Sequence, residues 1–119
     1  MNKVLIVLLA DKSTHENMAR ALHALLYAKQ AHEAGLETRL IFDGGGVEWA
    51  VEYQKNDHFK DLHAELLEKG VISGVCQYCA GAFKVENELK ELHATFIGEY
   101  NGHPNIGQKI AKGWQVITL

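Results

Sequence analysis

An unbroken apolar run near the start of the chain, Val4–Leu9, constrains the fold most strongly. A strand with one buried face alternates apolar and polar side chains, so a continuous run rich in β-branched residues indicates a strand covered on both faces. An amphipathic segment, Asn17–Ala34, follows with apolar residues at spacings of three and four, and Gly35 comes directly after it. This spacing predicts a helix that ends at the glycine. We therefore predict a strand followed by a helix, the unit that builds parallel sheets.

The same alternation continues to the end of the chain. Further strands are predicted at Leu36–Phe42, Val71–Cys76, Thr95–Gly98 and Trp114–Leu119. Helices are predicted at Val47–Lys55, Asp57–Lys69, Glu86–Ala94 and Pro104–Lys112, with a turn or short helix over Gln77–Phe83. The predicted fold class is therefore α/β: a three-layer α/β/α sandwich on a mostly parallel sheet of about five strands. At this length we expect residues 1–119 to form a single domain.

Three helix starts are predicted from local chemistry. Ser13 and Glu16 fit the Ser-x-x-Glu capping box of the first long helix. Asp57 is expected to cap a later helix, and Pro104 to occupy the first turn of the last one.

Charge and composition exclude several classes of protein. Twelve Lys and Arg residues against 15 Asp and Glu residues leave a net charge of −3, so neither a nucleic acid nor an anionic membrane is an expected partner. No segment approaches the ~20 apolar residues of a membrane span. The run Val4–Ala10 lacks the flanks of a signal peptide, so we expect a cytoplasmic protein with reduced thiols.

The motif Cys76-Gln77-Tyr78-Cys79 is the strongest candidate for chemistry. It follows a predicted parallel strand, and sites in open parallel sheets form beyond the carboxyl ends of the strands. A cysteine at the start of a helix meets the positive end of the helix dipole, which favours the thiolate. Cys76 and Cys79 are therefore the candidate catalytic residues for persulfide transfer or for dithiol–disulfide exchange. A packing role for both thiols is the alternative.

Two other loops leave the same edge of the predicted sheet and supply candidate binding residues. One contains Asp11, Lys12 and His15, and Lys12 would lower the pKa of Cys76 if the loops adjoin. The other is Asp43-Gly44-Gly45-Gly46, whose Gly44, Gly45 and Gly46 could present backbone N–H groups or admit a partner's cysteine. Tyr78, between the cysteines, completes the predicted partner-binding set.

The order of these features resembles the DsrE/DsrF-like sulfur-relay family, which includes TusD-type persulfide carriers. The resemblance covers nearly the whole chain and rests on Lys3–Leu9, Gly35-Leu36-Glu37, Asp43–Val47, Gly70–Cys76 and the apolar final strand. It implies a small α/β/α domain, assembled as a homotrimer or hexamer in the cytoplasm. It also implies that Cys76 carries sulfane sulfur as a persulfide between donor and acceptor proteins, in the manner of a sulfurtransferase. Cys79 is an additional thiol that could resolve such a persulfide into a disulfide.

Three alternatives stay open beside sulfur relay. One is thiol–disulfide exchange through Cys76 and Cys79. Another is a non-catalytic oligomeric binding or regulatory domain. Core packing is the usual role of aromatic residues such as Trp49, Tyr53 and Phe59, and a subunit interface is the alternative for them. The third is a metal site in which histidines such as His58 or His63 join the cysteines. No histidine has ligand spacing around the motif, so neither a metal nor a cofactor is predicted.

Overall fold

The computed structural model describes residues 2–119 and contains a five-stranded sheet in which all strand pairs are parallel. The strands are β1 (Lys3–Leu8), β2 (Glu37–Phe42), β3 (Ile72–Cys76), β4 (Phe96–Ile97) and β5 (Trp114–Thr118). They lie in the order β4-β3-β2-β1-β5. Because all the strands point the same way, their carboxyl ends meet at one edge of the sheet. The predicted α/β class is confirmed.

Six α-helices connect these strands within residues 2–119. They are α1 (His15–Glu33), α2 (Val47–Glu52), α3 (Asp57–Glu68), α4 (Gln77–Ala82), α5 (Glu86–Glu91) and α6 (Ile106–Ala111). A turn of 3₁₀ helix over Gly44–Gly46 leads directly into α2. Helices α2, α5 and α6 are shorter than their sequence patterns predict, with six residues each.

The two faces of the sheet bury separate apolar clusters. On one face, the side chains of Ile6 and Phe42 belong to a large cluster that also contains buried residues of α1, α2 and α3. On the other face, Leu5 packs with Trp114 and Ile106, the latter from α6. Burial on both faces explains why β1 is apolar at every position after Lys3.

The three predicted helix starts are each displaced by a residue or more. Thr14 caps α1 by accepting a hydrogen bond from the Asn17 N–H at 3.1 Å, whereas the Ser13 hydroxyl donates to Asp11 Oδ1 outside the helix. Asn56 caps α3 in place of Asp57, which is the first helical residue. Asn105 caps α6, and Pro104 lies before the helix. The end of α1 is as predicted, since Gly35 follows it with a φ of +85°.

The aromatic residues for which core packing and a subunit interface were the alternatives lie in the core of the chain. Trp49, Tyr53 and Phe59 are at most 4% exposed and contact one another. The Tyr53 hydroxyl donates to the Ala21 carbonyl oxygen at 2.6 Å, which fixes α2 against α1. His63 packs against Tyr53 in the same cluster, and burial lowers its pKa to about 4. Core packing of these aromatic residues is therefore confirmed, the alternative of a subunit interface at this position is wrong, and His63 is a neutral core residue.

No helix among residues 2–119 combines the length and the apolar character that a membrane crossing requires.

Candidate functional site

Cys76 lies where β3 ends and α4 begins, the position predicted from the sequence. Its side chain caps α4: the Cys79 N–H donates to the Cys76 Sγ at 3.5 Å. Gly74, within β3, allows this strand to lie close to the segment that enters β4, because a Cβ at Gly74 would be 2.3 Å from the Thr95 carbonyl oxygen. The geometry of β3 thus brings the thiol to the common carboxyl edge of the sheet.

The loop between β4 and α6 brings His103 against this thiol. Asn101 and Gly102 have φ values of +51° and +89°, and the Tyr100 N–H donates to the His103 carbonyl oxygen at 2.8 Å. This tight turn places His103 Nδ1 3.4 Å from Cys76 Sγ, and the Gly102 carbonyl oxygen lies 3.8 Å from the same sulfur. His103 is a site residue that the sequence pattern does not reveal, because 27 positions separate it from Cys76.

Tyr78 holds that loop over the sulfur. Its N–H donates to the Gly102 carbonyl oxygen at 2.9 Å, and its ring lies with its centroid 4.8 Å from that of His103. The Tyr78 side chain is nevertheless 62% exposed. The predicted role of Tyr78 in partner binding stays a prediction, to which the structure adds a contact with His103.

Burial dominates the acidity of Cys76. The residue has 0% exposed surface, and this burial raises the pKa of its thiol to about 12. The Cys79 N–H lowers the pKa, whereas the Cys79 thiol and the Asp43 carboxylate raise it. Helix α4 has six residues and offers Cys76 one N–H, which does not compensate for the loss of water. The expectation that this helix start favours a Cys76 thiolate is therefore wrong for this conformation.

Cys79 is the more accessible of the two thiols. It is half-buried and unpaired with any disulfide partner, and its Sγ donates towards Asp43 Oδ1 at 3.7 Å. The sulfurs of Cys76 and Cys79 and the Nδ1 of His103 all lie within 4.8 Å of one another. Two thiols, an imidazole and a carboxylate thus converge at the carboxyl edge of the sheet.

The three glycines after Asp43 have tight packing in common. A Cβ at Gly46 would lie 1.8 Å from the Leu8 carbonyl oxygen, and one at Gly45 would lie 2.6 Å from the Asp11 Cβ. Gly44 adopts a φ of +51° and donates its N–H to Asp43 Oδ1 at 2.9 Å. The turn places Asp43 beside Cys79, and its glycines allow it to pack against the end of β1. Binding of a partner by Gly44, Gly45 and Gly46 stays a prediction.

The loop after β1 is engaged in contacts of its own. Asp11 accepts hydrogen bonds from the hydroxyl and the N–H of Ser13, which lower the pKa of its carboxyl group. Lys12 Nζ pairs with Glu52 at 3.1 Å, and this contact raises the pKa of the lysine. Lys12 therefore does not lower the pKa of Cys76, whose perturbing groups are Cys79 and Asp43.

His15 lines a separate surface groove with Met18, Leu22 and His58. Within the described residues, none of the hydrogen bonds or ion pairs of Asp11, Lys12 and His15 reaches either thiol. Their participation in binding is untested and stays a prediction.

This arrangement supports chemistry at sulfur. A half-buried thiol, a buried thiol and a nitrogen base lie in mutual reach, which permits sulfur transfer between the thiols or their oxidation to a disulfide. Asp43 and His103 are the additions that the structure makes to the predicted pair. The sequence places Asp43 on one of the predicted binding loops, whereas no sequence pattern points to His103.

Comparisons with known proteins bear on the family and the fold of this chain. Residues 3–119 match the sequence model of a family described as the DsrE/DsrF-like family. An uncharacterized protein of Methanocaldococcus jannaschii is 29% identical over 103 residues, which cover 87% of this chain and 83% of that protein. A conserved protein of unknown function from Bacteroides thetaiotaomicron has a similar structure, with a TM-score of 0.63 over 97% of this chain and 94% of that chain. Since the two chains are 18% identical, that likeness supports the fold alone.

Proposed function

Because this chain belongs to the DsrE/DsrF-like family over residues 3–119, we propose that it is a sulfur-relay protein that stores sulfane sulfur as a persulfide on Cys76. The family suggests a role in sulfur relay in general. The observation that carries the finer proposal is the pairing of a half-buried thiol, Cys79, with a fully buried one within 4.8 Å. The first can meet a partner protein, and the second is shielded from solvent.

Loading takes place in two balanced steps. The Cys79 thiolate attacks the terminal sulfur of a donor protein's persulfide, the donor S–S bond breaks, and the donor leaves as a thiolate. The Cys76 sulfur then attacks the terminal sulfur on Cys79, which restores the Cys79 thiolate and leaves a persulfide on Cys76. His103 Nδ1, 3.4 Å from the Cys76 sulfur, accepts the Cys76 proton in this second step. No external oxidant or reductant is consumed.

Delivery follows the same route in reverse. The sulfur returns to Cys79, and the thiolate of an acceptor protein attacks it there. This order avoids direct approach of a partner to Cys76, which the Gly102–His103 segment covers. It also explains why a thiol with 0% exposed surface can take part in exchange between proteins.

The test is persulfide loading from a cysteine desulfurase and cysteine, followed by mass spectrometry of the intact chain and of its peptides. We expect a gain of ~32 Da, one sulfur atom, on the peptide that contains Cys76. The Cys79→Ser variant should load much more slowly, because its half-buried entry thiol is lost. The Cys76→Ser variant should hold sulfur only briefly, on Cys79. A chain in which neither cysteine gains sulfur would contradict the proposal and would favour a non-catalytic binding or regulatory domain.

Thiol–disulfide exchange is the second candidate, and the proximity of the two free sulfurs favours it. Attack of Cys79 on the inner sulfur of a Cys76 persulfide would release sulfide and leave a disulfide. A loss of ~2 Da, two hydrogen atoms, in place of the ~32 Da gain would identify this reaction.

The proposal includes protein partners for both steps and a homotrimer or hexamer in the cytoplasm. Exposed rings beside the site, Tyr78 at 62% and Tyr100 at 58%, offer apolar surface to the donor and acceptor proteins. A monomer in sedimentation at micromolar concentration would contradict the oligomer without affecting the sulfur chemistry.

A further inference from the structure

We propose that Cys76, Cys79 and His103 form a binding site for one zinc ion. Zinc in proteins is tetrahedral, with bonds of about 2.3 Å to sulfur and about 2.0–2.1 Å to nitrogen. These bonds require sulfur and nitrogen ligands to lie about 3.6 Å apart, and two sulfur ligands about 3.8 Å apart. Here the Cys76 sulfur lies 3.4 Å from His103 Nδ1, and all three ligand atoms lie within 4.8 Å of one another. Small side-chain adjustments would therefore complete the coordination.

Asp43 lies beside one of the three ligand atoms, the Cys79 sulfur, and would support the site from there. Its Oδ1 lies 3.7 Å from the Cys79 sulfur. The Gly44 N–H already orients that oxygen at 2.9 Å. A water molecule would occupy the fourth coordination position, as in zinc sites with three protein ligands.

The donor set selects the kind of metal. Two thiolates and an imidazole suit a borderline-soft tetrahedral cation such as Zn²⁺, whereas Mg²⁺ and Ca²⁺ require oxygen ligands. Two thiolates also balance the charge of Zn²⁺, which matters because Cys76 has 0% exposed surface. The backbone supports the arrangement: Cys76 and Cys79 are held by the first turn of α4, and His103 by the turn at Gly102.

This inference does not depend on sulfur transfer. If both hold, zinc and sulfur compete for the same thiols, and bound zinc would block persulfide loading.

The experiment is a zinc titration of the reduced, chelator-treated full chain against a chromophoric chelator, with Co²⁺ as a spectroscopic substitute. We expect one zinc ion per chain and, with cobalt, the absorption bands of tetrahedral thiolate coordination. Cys79→Ser and His103→Gln should each weaken binding by about 100-fold or more, since loss of an outer partner alone costs 10–100-fold. His58→Gln removes an exposed histidine outside the site and should bind zinc like the wild type.

The outcomes separate this inference from the proposed function. Absence of saturable zinc binding, or equal affinity in Cys79→Ser, His103→Gln and the wild type, would overturn the zinc site. Circular dichroism establishes whether each variant is folded, and the cobalt spectrum of the wild type tests thiolate ligation even if a variant is not. Sulfur loading is measured with the metal removed, and zinc binding is measured without a sulfur donor. A negative result in one experiment therefore leaves the other proposal standing.

Discussion

Suppression of Cys76 reactivity in the folded chain is the sharpest consequence of its burial. Burial raises the pKa of this thiol from its usual value of 9.0 to about 12. At neutral pH the thiolate fraction therefore falls by about 1,000-fold relative to an unperturbed thiol. The higher basicity makes each thiolate about 15- to 30-fold more nucleophilic, since the Brønsted coefficient is about 0.4–0.5. The net expectation is a rate about 30- to 60-fold lower, before steric shielding is counted.

The assay uses the Cys79→Ser variant, in which Cys76 is the one remaining thiol. Its reaction with a small aromatic disulfide is followed by absorbance, in buffer and in urea. We expect the native rate to be at least ~30-fold below the unfolded rate and to rise with pH without a plateau up to about pH 10. The matched Cys76→Ser variant, which retains the half-buried Cys79, should react faster than native Cys76. Equal native and unfolded rates for Cys76, or a plateau below pH 9, would refute the argument and would indicate a thiolate already formed beside His103.

Two further predictions concern stability. Lowering the pH from 6.5 to 4 should reduce the free energy of unfolding by about 3 kcal/mol through His63. Burial lowers the pKa of this histidine from 6.5 to about 4, so the unfolded chain binds the proton at a higher pH than the folded chain does. Well above pH 6.5 the group is neutral in both states and contributes nothing. Urea unfolding at several pH values should therefore show a shallower pH dependence of stability in His63→Leu than in His58→Gln. Gly46→Ala should destabilise the fold by about 1–3 kcal/mol or more, because its Cβ would lie 1.8 Å from the Leu8 carbonyl oxygen. The control Gly107→Ala, in the exposed face of α6, should be neutral or slightly stabilising in thermal unfolding, and equal melting temperatures for the two variants would contradict the packing argument.

Local patterns predicted the elements well and their ends less well. The apolar run of β1 and the periodicity of α1 place both elements within two residues of their observed bounds. This works because the apolar side chains of these segments are the ones that become buried. Ser13 was the wrong cap because two neighbouring hydroxyls fit the start of α1, and the backbone becomes helical only after Thr14. For Trp49 both core packing and an interface stayed open, because a sequence does not show which neighbours cover an aromatic ring, and the structure decides for the core.

The candidate site, too, was predicted only in part from local sequence patterns. By itself the sequence determined the α/β class, the position of Cys76 at the end of a strand, and the spacing that puts Cys79 one helical turn further on. Only the tertiary structure decided that His103 and Asp43 join these thiols, and that Cys76 is buried with a raised pKa while Cys79 is half-buried. The reason is physical: periodicity and capping act over a few residues, whereas acidity and access depend on atoms that other strands and loops bring to the same edge of the sheet.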